Sequence, residues 1–316
     1  MPELPEVEVV RRGLAAHLVG AVIDEVRVDD ARSVRRHLGG ALDFQSRLEN
    51  HRIVDVARRG KYLWLLWQND AGEPADVGLV IHLGMSGQVL LKESAAPHEK
   101  HLKVSMNLSN TTAEDVQLRF VDQRIFGGMF LDELVPTLDA QNKPIPAASQ
   151  SETQSALIPQ SVAHIARDPL DPYFSLALLR RKMLKTSSGI KRLLLDQSVI
   201  SGVGNIYADE ALWMARLHYA KPAKSISASK TEELVDAVRS VMQSALAVGG
   251  TSFDALYVNV NGESGYFDRS LHAYGQAGKP CERCIEKGIT SIMVREPFMN
   301  RSSFRCPRCQ RTPRQS

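Results

Sequence analysis

PCERCIEKGITSIMVREPFMNRSSFRCPRCQ, residues 280–310, holds all four cysteines of the 316-residue chain: Cys281, Cys284, Cys306 and Cys309. Two C-x-x-C pairs flank 21 intervening residues. Each pair fits a tight turn that points two thiolates at one ion, and four thiolates complete a closed tetrahedral zinc shell. Two disulfides or two redox motifs are the other readings of this spacing. A cytosolic setting disfavours disulfides, and redox pairs need a different surrounding fold. A closed shell leaves no open position, so the expected ion is one structural Zn2+ without a catalytic role. Residues 271–316 therefore read as a zinc-ribbon β-hairpin.

Charge gathers at the same end. Residues 279–316 carry nine Lys/Arg against three Glu, a net of +6, while the whole chain is only +3. The remaining 278 residues are thus slightly acidic, at −3. A localised basic module suits a polyanionic partner, although basic tails can also be merely solubilising. A hydrophobic content of 43% and a charged content of 24% are ordinary for a soluble globular protein. Neither YLWLLW nor VGLVIHLGM approaches membrane-spanning length, and the acidic N-terminus lacks a secretory pattern. The expected setting is cytoplasmic.

Working back along the chain, residues 163–250 are helical in character. DPYFSLALLRRKML, SGIKRLLLDQ, NIYADEALWMARL and SKTEELVDAVRSVMQSALAVGG all carry 3.6-residue spacing. Ser229 and Glu232 fit a capping box for the last of these, which Gly249-Gly250 end. Residues 136–162, rich in Pro, Ser, Gln and Ala, read as a linker with a flexible insertion. Between Ala21 and Val135 lie eight short strand-like runs without intervening helices, the pattern of an antiparallel β-sandwich or barrel. A helix is expected over 3–20. The fold class is α+β, with an N-terminal β domain over 1–135 and a helical domain before the hairpin.

Several stretches carry chemistry. MPELPEVEVV sets Pro2 beside Glu3 and Glu6, and removal of Met1 would leave a free secondary amine next to two carboxylates. The simpler account is a rigid helix entry, with Pro5 in the first turn and acids complementing the dipole. SGVGNIYADEALW (201–213) puts glycines at the mouth of a helix starting near Asn205, which is either an anion site or a tight corner. HLGMSG (82–87) and DQRIFGG (122–128) each place bulky side chains in glycine-rich loops. Met85 and Phe126 as apolar wedges, with Arg124 between them, suit insertion into a base stack. Core packing is the competing account for Met85. RRGKYLW puts Lys61 at the start of an apolar strand, where lysine is usually an edge gatekeeper. Arg301 lies just before the second cysteine pair. It is either one more solvated cation or a guanidinium aimed at phosphate from a stapled hairpin.

PELPEVE, RRGKYL, HLGMSG, D-x-R-x-F-G, SGVGNIYADE, GESGYFDRSLHAYG and NRSSF-x-CPRC occur together and in order from Pro2 to Cys309. The chain thereby resembles the bacterial formamidopyrimidine-DNA glycosylases, bifunctional enzymes that excise oxidised purines from DNA. The resemblance implies a helix–two-turns–helix motif and a base-capping loop over 251–270. It also implies a monomer acting on damaged double-stranded DNA in base excision repair, in the cytoplasm and associated with the nucleoid. Pro2 would be the nucleophile, Glu3 the acid assisting ring opening, and Glu6 a neighbour in the substrate pocket. Lys61 would be the proton donor for β-elimination and Arg301 for δ-elimination. His101, Arg124, Lys185, Lys191 and Asn205 match DNA contacts, and Met85, Arg124 and Phe126 match void-filling residues. The chemistry suits an α-amine. At a reference pKa of ~8 against ~10.4 for lysine, roughly two hundred times more of it is free base at neutral pH.

Two features depart from the family pattern. IEKGITSIMV lengthens the gap between cysteine pairs, which bears on the aim of Arg301, and the linker has an extra segment near 143–160. Two other functions remain in play. Endonuclease VIII-type enzymes for oxidised pyrimidines begin PEGPE and lack a long capping loop. A non-catalytic DNA-binding zinc-ribbon paralogue should have lost Pro2, Glu3 or Lys61, and all three are present.

Overall fold

The computed structural model describes residues 2–69, 71–111, 115–250, 259–263 and 270–313. The chain divides into two compact units, residues 1–164 with 248–266, and residues 165–247 with 267–316. Most of the segment expected as a base-capping loop, 251–258 and 264–269, lies outside the described residues.

The first unit begins with helix α1 (Leu4–Leu18) and continues through β1 (Val22–Val28), α2 (Gly40–Ser46), β2 (His51–Arg59) and β3 (Tyr62–Gln68). Six strands follow: β4 (Val77–His82), β5 (Gly87–Glu93), β6 (Leu102–Ser109), β7 (Val116–Asp122), β8 (Gly128–Pro136) and β9 (Leu157–Pro159). All pair antiparallel, in the order β5-β7-β6-β1-β2-β3-β4-β8-β9. The sheet is nearly severed in the middle. β1 and β2 share only the pairs Val22↔Arg52 and Ile23↔His51, and each strand has a register shift just beyond, at Ile23/Glu25 and Ile53/Asp55. Such irregularities bend strands. Ile23, Val104 and Phe120 from one half thus share a core with Ile53, Leu65 and Ile81 from the other, as in a sandwich. Val7, Val10, Leu14 and Leu18, on one face of α1, complete that core.

The structure differs from the sequence reading at two places here. Helix α2 interrupts the strands, burying only Phe44 of its seven residues. Residues 136–162 are not a flexible linker. β9 pairs with β8, and the backbones of Arg58 and Gln150 exchange hydrogen bonds. The fully buried Asp55 carboxylate accepts from the Ser151 and Thr153 hydroxyls and from the Glu152 and Thr153 N–H groups. One carboxylate with four donors orders a stretch that has no periodicity of its own.

A buried ion pair joins α1 to the sheet. Glu8 Oε2 lies 2.7 Å from Arg58 Nε on β2, with both side chains almost wholly buried. Arg11 and Arg12 also reach Glu8, at 3.1 and 3.0 Å.

The second unit contains α3 (Leu176–Leu184), α4 (Ile190–Leu194), α5 (Asn205–Met214), α6 (Ala228–Ala247) and α7 (Glu282–Ile285), then the hairpin β10 (Val294–Phe298) and β11 (Arg301–Arg305). α5 is buried on nearly all sides, from Ile206 to Trp213. α6 is amphipathic, burying Leu234, Val235, Val238, Val241, Met242 and Ala245. Its N-cap is Ser227 and not Ser229: the Ser227 hydroxyl accepts from Lys230 N–H at 3.2 Å. Buried Ile226, in extended conformation, ends the preceding turn, and the helix begins two residues later at Ala228. Among the described residues no helix is long and apolar enough to cross a membrane.

Breaking the Glu8–Arg58 pair should destabilise the protein strongly. Arg58→Met is expected to cost about 3 kcal/mol, at the low end for a buried pair because Arg11 and Arg12 still neutralise Glu8. Adding Glu8→Leu should restore about half of that loss, since it removes the stranded charge. Equilibrium urea unfolding checks both, and a single-variant loss below ~1 kcal/mol would place the pair among ordinary surface bridges.

Candidate active site and nucleic-acid interface

At the N-terminus, Pro2, Glu3 and Glu6 are all buried. α1 starts at Leu4, with Pro5 in the first turn where a missing N–H costs nothing. Glu6 Oε2 accepts from the Glu3 backbone N–H at 2.9 Å, part of a capping box. The helix-entry account of PELPE is met, and the same entry gathers two carboxylates beside Pro2. A Cβ on Gly250 (φ +87°) would stand 3.2 Å from Glu6 Oε1, so that glycine lets the backbone approach the carboxylate.

Lys61 is only 8% exposed, in the turn joining β2 to β3. These strands lie inside the sheet, so the edge-gatekeeper account fails. Arg58, which binds Glu8, also donates to the Gly60 carbonyl at 2.9 Å. One guanidinium thus holds the Lys61 turn and the first turns of α1 in a fixed relation.

The two glycine-rich loops interlock through Asp122, which is fully buried. Its Oδ1 accepts from the Ser86 hydroxyl at 2.5 Å and from Arg124 N–H at 3.1 Å, and its Oδ2 from Gly127 N–H at 2.8 Å. A Cβ on Gly84 would come within 2.4 Å of the Gly127 nitrogen, so only glycine allows this approach. Arg35 donates to the carbonyls of Ile125 and Gly127 at 3.1 and 3.3 Å, on either side of Phe126. Ile125 has φ +55°, unusual for a β-branched residue and imposed by these clamps. The outcome is that Met85 (37% exposed), Phe126 (51%) and Arg124 protrude together. Core packing is thereby excluded for Met85. His101 is half-buried beside the same loop, and its carbonyl accepts from Asp122 N–H at 3.0 Å.

In the second unit, Lys185 is exposed at the C-cap of α3 and Asn205 opens α5. Lys191, which the resemblance matches to a DNA contact, does not lie at the surface. It is wholly buried, its ammonium 2.7 Å from Asp209 Oδ1 and 5.0 Å above the Phe298 ring. Arg301 is exposed at the hairpin tip, paired with Phe298 across the Met299-Asn300 turn. β10 and β11 pair without a register shift. The extra residues between the cysteine pairs are taken up in an exposed turn at 285–290, away from that tip.

The sulfurs of Cys281, Cys284, Cys306 and Cys309 lie within 4.8 Å of one another and could hold a metal ion. Three of the separations are 3.4, 3.7 and 4.0 Å, and no disulfide forms. A tetrahedron with metal–sulfur bonds of ~2.3 Å has edges of about 3.8 Å, so the spacing fits. Burial, and then the three sulfurs around it, push the Cys284 thiol up to about 12.

Comparison with known proteins agrees with this geometry. Residues 1–129 match the family model "Formamidopyrimidine-DNA glycosylase N-terminal domain", and residues 165–256 match "Formamidopyrimidine-DNA glycosylase H2TH domain". The formamidopyrimidine-DNA glycosylase of Rhodococcus jostii is 52% identical over 316 residues, covering 100% of this chain and 98% of the relative. A crystal structure of the Lactococcus lactis Fpg with DNA containing an abasic site superposes with a TM-score of 0.76 at 29% identity, covering 98% of this chain and all of that one. The structure of MutM in complex with carbocyclic 8-oxo-G containing DNA gives the same TM-score at 30% identity and the same coverage.

The sequence reading missed His82, the last residue of β4. Its ring lies 4.9 Å from that of Tyr62, next in sequence to Lys61, and its buried Nδ1 has no hydrogen-bond partner. Burial, and then Arg36, Lys61 and Arg35, lower its pKa to about 4, with Asp122 acting weakly the other way. A histidine lowered on folding stabilises the fold when neutral. That contribution is present above ~6.5, the unfolded value, and is lost as the pH falls toward about 4. The His82 ring protons should show no NMR titration step between about pH 5.5 and 8, where free histidine titrates. A midpoint near 6.5 would mean that the imidazole is solvated.

Proposed function

The chain belongs to the formamidopyrimidine-DNA glycosylase family, and on that premise we propose that it excises oxidised purines from damaged duplex DNA as a bifunctional glycosylase and lyase. The observation that carries this reading is the burial of Pro2 with Glu3 and Glu6 at the entry of α1, which Arg58 ties to the Lys61 turn. In this mechanism the Pro2 nitrogen attacks C1′ of the damaged nucleotide. The glycosidic bond breaks, its electron pair leaves with the base, and the base takes up the proton that the Pro2 nitrogen releases. Glu3 donates a proton as the sugar ring opens, and the adduct becomes an iminium ion. A secondary amine has no N–H proton left to lose at that stage, so the iminium stays cationic and acts as an electron sink. A base then takes a C2′ proton, the iminium takes up the electron pair to become an enamine, and the 3′ phosphate leaves with a proton from Lys61. A second elimination expels the 5′ phosphate, assisted by Arg301. Phosphate ionises readily and is a good leaving group, so both steps need positioning more than activation.

A flipped base leaves a gap in the stack, and refilling the gap offsets part of the unstacking cost. Phe126 and Met85 are the wedges for this role, and Arg124 faces the orphaned partner base. Lys185, His101 and Asn205 serve the phosphate backbone. Lys191, being buried, serves through the groups it holds. A pyrimidine-specific relative is disfavoured by PELPE in place of PEGPE, and a binding-only paralogue by the intact Pro2, Glu3 and Lys61. The protein acts as a monomer in the cytoplasm.

We assign the four cysteines to one Zn2+, whose chemistry is to fix the hairpin base and not to take part in the reaction. Cys306→Ser should release the metal, measured by a chromogenic chelator. It should weaken duplex binding while leaving the β-sheet unit folded, because metal binding here is folding energy. Unfolding of the sheet unit as well would show that the two units are not independent.

The nucleophile is tested by borohydride trapping on a duplex with 8-oxoguanine opposite cytosine. Pro2→Gly should lower trapped complex by ~100-fold, the scale of misplacing the reacting amine by about 1 Å, with duplex binding nearly intact. Trapping at the wild-type level would remove Pro2 from its role.

A further inference from the structure

A two-stranded hairpin is marginally stable by itself. The cysteine cluster pins only the base of this one. Arg301 and Cys306 are five residues apart on one strand, or about 17 Å at ~3.4 Å per residue. Something else must hold the tip, and the structure supplies it from α4 and α5.

Asp209 on α5 is 1% exposed. Its Oδ1 accepts from the Ser303 hydroxyl at 2.9 Å and from Lys191 Nζ at 2.7 Å, and its Oδ2 from Phe304 N–H at 3.0 Å. Lys191 Nζ also donates to the Ser302 carbonyl at 3.2 Å, and Asn205 Nδ2 donates to the same oxygen at 3.1 Å. Three consecutive residues after Arg301 are therefore fixed to the helices. On the other strand Phe298, the pairing partner of Arg301, lies under the Lys191 ammonium. Arg301 is exposed, but its backbone is held from both sides.

Burying a charge pair is costly, and an apolar pair of similar size would usually pack as well or better. A buried carboxylate whose three bonds are spread over Lys191 and β11 is better accounted for by geometry than by stability. We propose that Asp209 is a positioning residue: it aims Arg301 for the second elimination. This rests on the role assigned to Arg301 above, and the test separates the two.

The experiment uses the full-length protein on a duplex with 8-oxoguanine opposite cytosine and resolves three readouts. These are single-turnover base excision, borohydride-trapped complex, and the ratio of β,δ- to β-elimination ends. Asp209→Asn keeps the side-chain size but cannot satisfy Lys191, Ser303 and Phe304 together. The product ratio should fall about tenfold, well within the ~100-fold that a 1 Å misplacement can cost. Excision and trapping should stay within about twofold, and zinc content should be unchanged. Ser303→Ala removes a single arm of the clamp, and should shift the ratio the same way by about threefold. It decides the question should Asp209→Asn not fold. Arg301→Ala is the control. If it leaves the ratio unchanged, the role of Arg301 is wrong and the clamp aims nothing. If Arg301→Ala lowers the ratio while neither clamp variant does, the positioning role is overturned. Equal loss in all three readouts also overturns it, because Asp209 would then be a general structural residue.

Discussion

The charge pair between Glu8 and Arg58 is the contact on which the geometry around Pro2 and Lys61 depends. Chain termini are normally the least ordered part of a domain. Here the proposed nucleophile sits at one, and the first turn of a helix offers no intrahelical partner for its N–H groups. Glu8, one turn further on, is held to a central strand at 2.7 Å. The same guanidinium binds the Gly60 carbonyl, next to Lys61. Two groups assigned to successive steps thus share one support, and a shift in either would move the other.

The pattern recurs. Asp55, Asp122, Asp209 and Glu210 are buried carboxylates, and each ties down a stretch of chain remote in sequence. Asp55 orders 151–153, Asp122 the two protruding loops and Asp209 the hairpin. Glu210 accepts from the N–H groups of His272, Ala273 and Tyr274. An ionised carboxylate is expensive to bury unless its lone pairs are filled, and three or four charge-assisted bonds fill them. Each site then holds one arrangement firmly, because losing any donor exposes the whole cost.

These organisers explain what was legible in the sequence. Short strand-like runs bounded by turn residues marked all eight strands up to β8, and the cysteine spacing marked the tail. The ordered motifs named the candidate residues. A carboxylate that binds a loop nearly a hundred residues away leaves no local signal, so 136–162 read as linker although Asp55 holds it down. Lys191 was matched to a DNA contact through the family resemblance, which carries no information on burial. Only the fold shows that Asp209, 18 residues on, takes it inside. Ser229 was preferred to Ser227 in the reading because Glu232 completes a capping-box spacing with it, whereas the Ser227 hydroxyl is the one that accepts from a first-turn N–H. His82 was visible within HLGMSG, but nothing local distinguished it from any other strand-end residue.

The lengthened stretch between the cysteine pairs closes on itself. Ile289 N–H returns to the Cys284 carbonyl and Gly288 N–H to that of Ile285, while β10 and β11 keep their register. Chain length at 286–288 is therefore decoupled from everything beyond it. A fluorophore or an affinity peptide grafted at this turn would report on the module from its outer rim without disturbing the tip.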